Sequence, residues 1–288
     1  MVRSYRSWRD GRKARIPGLE FDRFGRRLGI RLALSGHIGL GASYWLNPVS
    51  NVRYFEFPFT AASVPSAARK CADVGSPRLF SLYWSRKHPD ASIEMINPDA
   101  RDLDETRLVA GSGGIHLSYV HADLRVLEGR PGAYDAIWAI SVIEHVHGAY
   151  DDRAAVAWLY SALRPGGVLV LTTTIDRTFW DEYRDTDPYQ LEKDVTGPAF
   201  FQRWYDLRSL HERLLEPLSG ADVSMAFFGE THAGAFKAYE AQWMRLGLRR
   251  SVEDPREIAE NFREYPTWEA MPGAGVCGIR IVKPEQNR

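Results

Sequence analysis

The chain reads as short apolar runs separated by amphipathic stretches. Lys70–Gly75 has the pattern of a strand, Arg78–Lys87 of a helix, and Ser92–Asn97 of a second strand closed by Pro98. Asp99–Ala110 has helical composition and ends at Gly111, Gly113 and Gly114; Leu117–Asp123 is a third strand. Tyr134–Ser141, YDAIWAIS, is apolar enough for the middle of a sheet. Asp151–Leu163 is a helix stopped by Arg164, Pro165 and Gly166, and Gly167–Ile175, GVLVLTTTI, is a strand with β-branched residues throughout. Strands alternating with helices at this spacing predict an α/β fold, a doubly wound and mostly parallel sheet with helices on both faces.

After Ile175 the rhythm changes. Asp176–Phe201 is polar, aromatic and broken by prolines, and reads as a long loop of the kind that carries function. Asp206–Glu216 returns to helix with Asp206 as N-cap, Asp222–Phe228 and Gly275–Val282 are strands, and Ala233–Tyr265 reads as a helical insert. Upstream, residues 1 to about 20 form a basic arm. Phe21–Trp45 suggests short helices broken near Gly36 and Gly41, and the aromatic Asn47–Thr60, with two prolines, reads as a lid or entry segment against the first strand. The expected division is an N-terminal extension over 1–63 and a main domain over 64–288, with cap elements at about 176–205 and 230–272.

Composition changes this picture little. At 288 residues, 44% apolar and 26% charged, the chain has ample material for a core. Its 37 basic and 37 acidic residues give no net charge, hence no reason to expect nucleic acid as a partner. The charge is uneven, however: ten basic residues from Arg3 to Arg31 face only Asp10, Glu20 and Asp22. Such an arm could touch an anionic membrane surface weakly or meet an acidic partner, or simply be a solvated terminus. Cys71 and Cys277 lie in apolar runs and read as core residues, without disulfide or metal-ligand spacing. No apolar segment follows the basic start as in a secretory signal, and Leu28–Leu46 is too interrupted to span a membrane, so the cytoplasm is the expected location.

The candidate chemistry centres on Ala72–Pro77, ADVGSP. A turn carrying an acid and a glycine between strand and helix sits at the carboxyl edge of a sheet, where ligands bind such folds. Gly75 leaves room for close backbone approach, and Ser76 stands beside it. Farther along come Asp123 in HADL, the strand and loop YDAIWAISVIEHV over Tyr134–Val146, and LRPGGVLVL over Leu163–Leu171. In this order the motifs resemble a class I S-adenosylmethionine-dependent methyltransferase, from about Val64 to the C-terminus. The resemblance implies a seven-stranded Rossmann-like sheet with a helical N-terminal extension and a helical insert before the last strand. It also implies S-adenosylmethionine as cofactor and methyl transfer as the activity.

On that resemblance, Asp73 would accept hydrogen bonds from the cofactor's ammonium end, directly or through water. Asp73 could equally cap the following helix. Asn97, with Asp99 two residues on, holds the place where the family keeps a ribose-binding acid. Asp123 and Leu124 would face the adenine, although Asp123 could be an ordinary strand-end acid, and Ser141 would open onto the same crevice. Glu144, His145 and His147 follow the fourth strand on the reaction side and are the candidate catalytic cluster, or else they shape the loop. Arg164–Gly167 and Asp135 read as structural. Two departures stand out: the first motif continues as Ser76, Pro77 and Arg78 where the family has more glycine, and the strand-two acid is Asn97. The expected acceptor is a small molecule or glycan beside the aromatics Trp180, Tyr183, Tyr189, Phe200, Phe201, Trp204 and Tyr205, which could instead pack the cap onto the sheet. The departures keep a second possibility open, a catalytically inactive methyltransferase fold serving as a binding or partner subunit. A nicotinamide dehydrogenase would want G-x-G-x-x-G after strand one, which is missing.

Overall fold

The computed structural model describes residues 9–13, 15–185, 197–218, 220–246 and 255–285. After a helical segment over 9–13 (α1), the chain forms α2 (Leu19–Leu34), α3 (Ile38–Leu46) and α4 (Arg53–Ser63). Strand and helix then alternate as β1 (Lys70–Val74), α5 (Leu79–Lys87), β2 (Ser92–Asn97), α6 (Ala100–Gly113), β3 (Ser118–His121), β4 (Tyr134–Ile140), α7 (Asp152–Ala162) and β5 (Leu163–Ile175). Local chemistry fixes several ends. Asp99 and Asp151 cap α6 and α7 by accepting from the N–H groups of Arg101 and Ala154. At the far end of α6, Gly114 takes a left-handed conformation, φ 63°, that closes the helix.

The main sheet has the order β3-β2-β1-β4-β5-β10-β8-β9, where β8 is Asp222–Glu230, β9 Phe262–Tyr265 and β10 Gly275–Val282. The β3-β2-β1-β4-β5 half is parallel, and β10 runs antiparallel to both β5 and β8. Alternate residues feed two cores, as the two-residue strand period requires. Ala136, Trp138 and Ile140 join α2, α4 and α5 on one face, while Ile137 and Ala139 join α7 on the other. Cys71 and Cys277 are buried free thiols within these layers.

Several expectations need correction. The sheet has eight strands rather than seven, because β9 adds an edge inside the stretch read as purely helical. The rest of that insert holds α9 (Ala235–Leu246) and α10 (Pro255–Asn261), with 247–254 outside the described residues. The stretch read as a loop after β5 carries a second sheet, the antiparallel pair β6 (Trp180–Arg184) and β7 (Ala199–Trp204). Alternation was hidden there because aromatic and charged residues occupy both faces of each strand. The expected helix from Asp206 starts with a reciprocal capping box between Asp206 and Ser209 at α8 (Leu207–Leu210), then widens into a π-helical turn over His211–Leu215. The aromatic half of Asn47–Thr60 is helical and packs chiefly on β5 and β10 rather than on β1, with Phe55 and Phe59 against Phe228 of β8.

The glycine at 41 is also not a break. Glycines 29 and 41 face each other where α2 and α3 cross, so that a Cβ on Gly29 would stand 2.6 Å from the Gly41 carbonyl oxygen and one on Gly41 2.7 Å from that of Gly29. The two helices thus touch backbone to backbone, and the hairpin they form is thin. Gly29→Val is expected to cost about 1–3 kcal/mol, because backbone cannot yield as a flexible side chain can. Urea unfolding would read this as a lower midpoint at unchanged slope; an unchanged midpoint would mean the helices part freely.

Candidate functional site

The C-terminal edge of the parallel strands gathers most of the residues singled out above. Register pairs Asp73 with Met95 and Trp138, Asn97 with His121, and Ile140 with Thr172, so the turns after β1, β2 and β4 open side by side. Gly75 sits at φ 61°, a conformation that glycine adopts without the Cβ penalty. Asp73 is fully buried and accepts from the Ser76 N–H and the Ser81 hydroxyl, while the Trp138 indole donates to Ser81. Burial raises its pKa to about 6, opposed by the bonds from Ser81 and Ser76. The carboxyl therefore closes its own turn. Ser76 is buried too, accepting from the Ile140 N–H and so fastening the turn to β4.

At the end of β2, the Asn97 amide is engaged on both sides: its oxygen accepts from the Asp99 N–H and its nitrogen donates to Asp102. Asp102 also pairs with Arg78, which reaches Glu105 as well. Arg78 thus spans from the first turn to α6 instead of filling the turn itself. Arg78 and Asp102 border a cleft of about 250 Å³ lined also by Tyr44, Asn47, Arg53 and Pro77, among others. Asp99 caps α6 and is paired with Arg101, which is the main reason its pKa is lowered. Asp123 begins a 3-10 turn over Leu124–Gly129, holds Arg125 through that side chain and its N–H, and is lowered chiefly by that bond. Leu124 is buried below it.

Beyond β4 the structure adds residues that the sequence reading passed over. Glu56 on α4 is fully buried against the sheet edge. Its carboxylate accepts from the Ser141 hydroxyl at 2.7 Å, from the Thr172 hydroxyl, and from the Arg53 guanidinium; Arg53 also donates to the Ser141 hydroxyl at 2.8 Å. Ser141 itself holds φ 50°, unusual for a non-glycine residue and costing on the order of 1–3 kcal/mol. Its N–H donates to both the carbonyl and the hydroxyl of Thr172 at 3.0 Å, which fixes that conformation. One signal could have revealed this pair. No aspartate or glutamate occurs from Arg23 to Phe55, so Arg53 and Glu56 are the first opposite charges after a long acid-free run, three residues apart in an aromatic helix.

The cluster Glu144, His145 and His147 lies under the β6–β7 hairpin. Glu144 is buried, and neither carboxyl oxygen finds a partner at hydrogen-bond geometry. Burial raises its pKa to about 8, Glu56 adds to the rise, and the nearby Thr173 hydroxyl opposes it weakly. Glu144 is therefore mostly protonated at neutral pH. His145 contacts the Phe201 carbonyl oxygen through Nδ1 at 2.6 Å. A carbonyl only accepts, so Nδ1 carries the proton and the ring lone pair sits on Nε2. Burial lowers this histidine to about 4, which leaves it a neutral and weak base. His147 rests on the Phe200 ring, with Nδ1 3.2 Å from the His145 carbonyl oxygen.

The hairpin above is polar inside. Glu182 accepts from Arg184, Gln202 and the Trp204 indole, and Arg203 reaches Asp181, Asp152 and the Val146 carbonyl. Glu240 on α9 feels both Glu182 and Arg184, and burial holds it near 7. Of the aromatics named from sequence, Trp180 stacks on Trp204, while Trp204 and Tyr205 are fully buried and serve packing. Tyr183 is 58% exposed and Tyr189 lies outside the described residues.

The sheet order and the convergence of its turns are those of class I methyltransferase-like folds. Residues 72–171 match the family model described as a methyltransferase domain, in line with the class I, S-adenosylmethionine-dependent type that the sequence motifs resemble. Within the chain, 88 residues are 31% identical to the ubiquinone biosynthesis O-methyltransferase of Methylocella silvestris. That match covers 31% of this chain and 33% of the relative, so the chain spans about a third of the curated relative's length. Among solved structures, coclaurine N-methyltransferase, bound to N-methylheliamine and S-adenosylhomocysteine, superposes with TM-score 0.53 at 10% identity, covering 78% of this chain and 68% of that one. The [4+2]-cyclase SpnF superposes with TM-score 0.51 at 15% identity and 80% coverage of each chain. At such identities the two structures establish the fold alone.

Proposed function

We propose that the chain binds S-adenosylmethionine across the turns after β1, β2 and β4 and transfers its methyl group to a small molecule held under the β6–β7 hairpin. The observation that carries this reading is the alignment of Gly75, Asn97 and Ser141 along one sheet edge, inside the segment that matches the methyltransferase domain. The side chains present suit such a cofactor. The Arg53 and Arg78 guanidinium groups border the cleft and can hold a carboxylate, Asn97 and Asp102 offer acceptors for ribose hydroxyls, and Asp123 can accept an exocyclic amine once Arg125 swings away. At about 250 Å³ the cleft is somewhat below the roughly 300–1,000 Å³ of sites that enclose a small molecule, so Arg78 gives way on binding.

The cofactor supplies a methyl group already activated on a sulfonium. What remains for the protein is alignment of an acceptor and exclusion of water. Ser141, fixed by Glu56 and Thr172, presents a rigid edge, and the hairpin with its half-buried Glu182 and buried Arg203 roofs it. Neutral Glu144 and weakly basic His145 suit positioning better than proton abstraction. Exposed Tyr183 beside a polar interior favours a hydroxylated, ring-shaped acceptor such as a glycan.

A second reading, a fold that binds partners without catalysing, draws on one observation: the Asn97 amide is already engaged at both ends. Calorimetric titration with S-adenosylmethionine separates the two. Wild-type protein is expected to bind in the micromolar range and Asn97→Ala about tenfold more weakly, a loss of about 1.4 kcal/mol, with an unchanged circular dichroism melt. No binding at millimolar cofactor by folded protein would sink the enzyme reading.

A further inference from the structure

The α2–α3 hairpin ends in a tip that nothing in the described residues covers. Leu34 is 83% exposed, Ile38 71% and Ile30 46%, making these three of the largest apolar exposures on the molecule. Between them the connection Ser35–Gly36–His37 is exposed and uncharged, and no Asp, Glu, Lys or Arg occurs from Leu32 to Val52. Scattered exposed apolar residues are ordinary on a protein surface, but three clustered at the end of a projecting hairpin are not.

Behind the tip the same helix face is basic. Arg23, Arg27, Ile30 and Leu34 follow one another at helical spacing, and all four are exposed. Neither arginine takes part in an ion pair among the described residues. The other arginines of the hairpin have structural duties: Arg26 pairs with buried Asp22, and Arg31 donates to the Gly113 carbonyl at the end of α6, bracing the hairpin against the sheet. Arg27 and Leu34 are seven residues apart, about 10 Å along the axis at 1.5 Å per residue. With the hairpin standing on its tip, that separation holds the arginine a headgroup's distance above the leucine.

From these placements we infer that the α2–α3 hairpin docks tip-first on an anionic lipid surface. Leu34, Ile38 and Ile30 enter the acyl boundary while Arg23 and Arg27 meet headgroup phosphates. The backbone contact of Gly29 and Gly41 keeps the inserted element narrow, and the acid-free run from Arg23 to Phe55 leaves the tip half of the hairpin without a carboxylate that would oppose the charge of the surface, Glu20 and Asp22 lying in the first turn of α2 at the far end. A second copy of the chain fits worse, since a two-fold contact would set this arginine face against itself. The inference stands on the hairpin and does not need the activity proposed above.

Flotation of the full chain with phosphatidylcholine vesicles, and with vesicles also containing phosphatidylglycerol, tests it. Wild-type protein is expected to float with the anionic vesicles and much less with the neutral ones. The double change Leu34→Asp, Ile38→Asp should reduce the bound fraction about tenfold or more, and Arg23→Glu with Arg27→Glu should reduce binding to anionic vesicles by a similar factor, at about 1 kcal/mol per basic residue near the surface. All these positions are exposed, so thermal melts should be unchanged. Wild type that fails to float with either vesicle overturns the inference. So does flotation insensitive to Leu34→Asp and Ile38→Asp, and so does a concentration-dependent dimer, abolished by those changes, without vesicle binding.

Discussion

Glu56→Ala is expected to lower the unfolding free energy by about 3–5 kcal/mol, the range for removing one partner of a buried ion pair. The reason lies in what the carboxylate joins. It is the common acceptor for two hydroxyls from neighbouring strands, Ser141 of the loop after β4 and Thr172 of β5, and for the guanidinium of Arg53 one turn back on its own helix. Hydrogen bonds to a charged group contribute about 1.5–3 kcal/mol each, and the change removes them together. It also leaves Arg53, whose side chain is 26% exposed, without its carboxylate. Ser141 then loses one of the contacts that hold its positive φ. Glu56→Gln keeps the shape and an oxygen acceptor and should fall about midway. Urea unfolding measures both; an Ala variant within about 0.5 kcal/mol of wild type, the usual range for surface changes, would show that α4 is not pinned to the sheet through this network.

The second large effect is a stabilisation that depends on pH. Burial lifts Glu144 from its ordinary 4.5 to about 8. Below pH 4.5 the carboxyl is protonated both folded and unfolded and adds no cost. As pH rises through 4.5 the unfolded chain ionises while the folded one keeps its proton, so stability falls by about 1.4 kcal/mol per pH unit. The fall levels off above about 8, where the folded state ionises too. Glu144→Gln removes the group and should stabilise the protein by roughly 3–5 kcal/mol at pH 9, less at pH 6, and hardly at pH 4.5. Denaturant unfolding of both proteins across that range checks it. A difference that stays constant with pH would mean that Glu144 ionises freely in the folded state.

The parallel half of the sheet was legible in the sequence because each of its strands is a short, mostly apolar run and the helices between them carry end signals. Gly114, last of the glycine cluster, closes α6 three residues later than the cluster suggested, and Asp151 opens α7. The β6–β7 hairpin was not legible: Trp180, Tyr183, Phe200 and Trp204 are interrupted irregularly by polar and charged residues whose partners lie across the hairpin, so no two-residue period shows along either strand. Among site residues, Gly75 and Ser141 could be placed by following strand ends. The duties of Asp73 and Asn97 could not, because they depend on Ser81, Asp102 and the Asp99 N–H, whose proximity only the folded turn creates. Arg53 and Glu56 escaped notice because their partners lie 85 or more residues away on other elements.

The last strand carries a consequence for synthesis. β10 lies between β5 and β8 and pairs with both along its whole length, from Gly275 to Val282. Until those residues leave the ribosome, β5 has an open edge, and β8 with β9 can form only a separate ribbon. The parallel half can assemble while translation continues, exposing the Leu169 and Leu171 row beside an unpaired ladder. Joining the two halves waits for β10, and until then the nascent protein carries a sheet edge suited to pairing with the wrong strand.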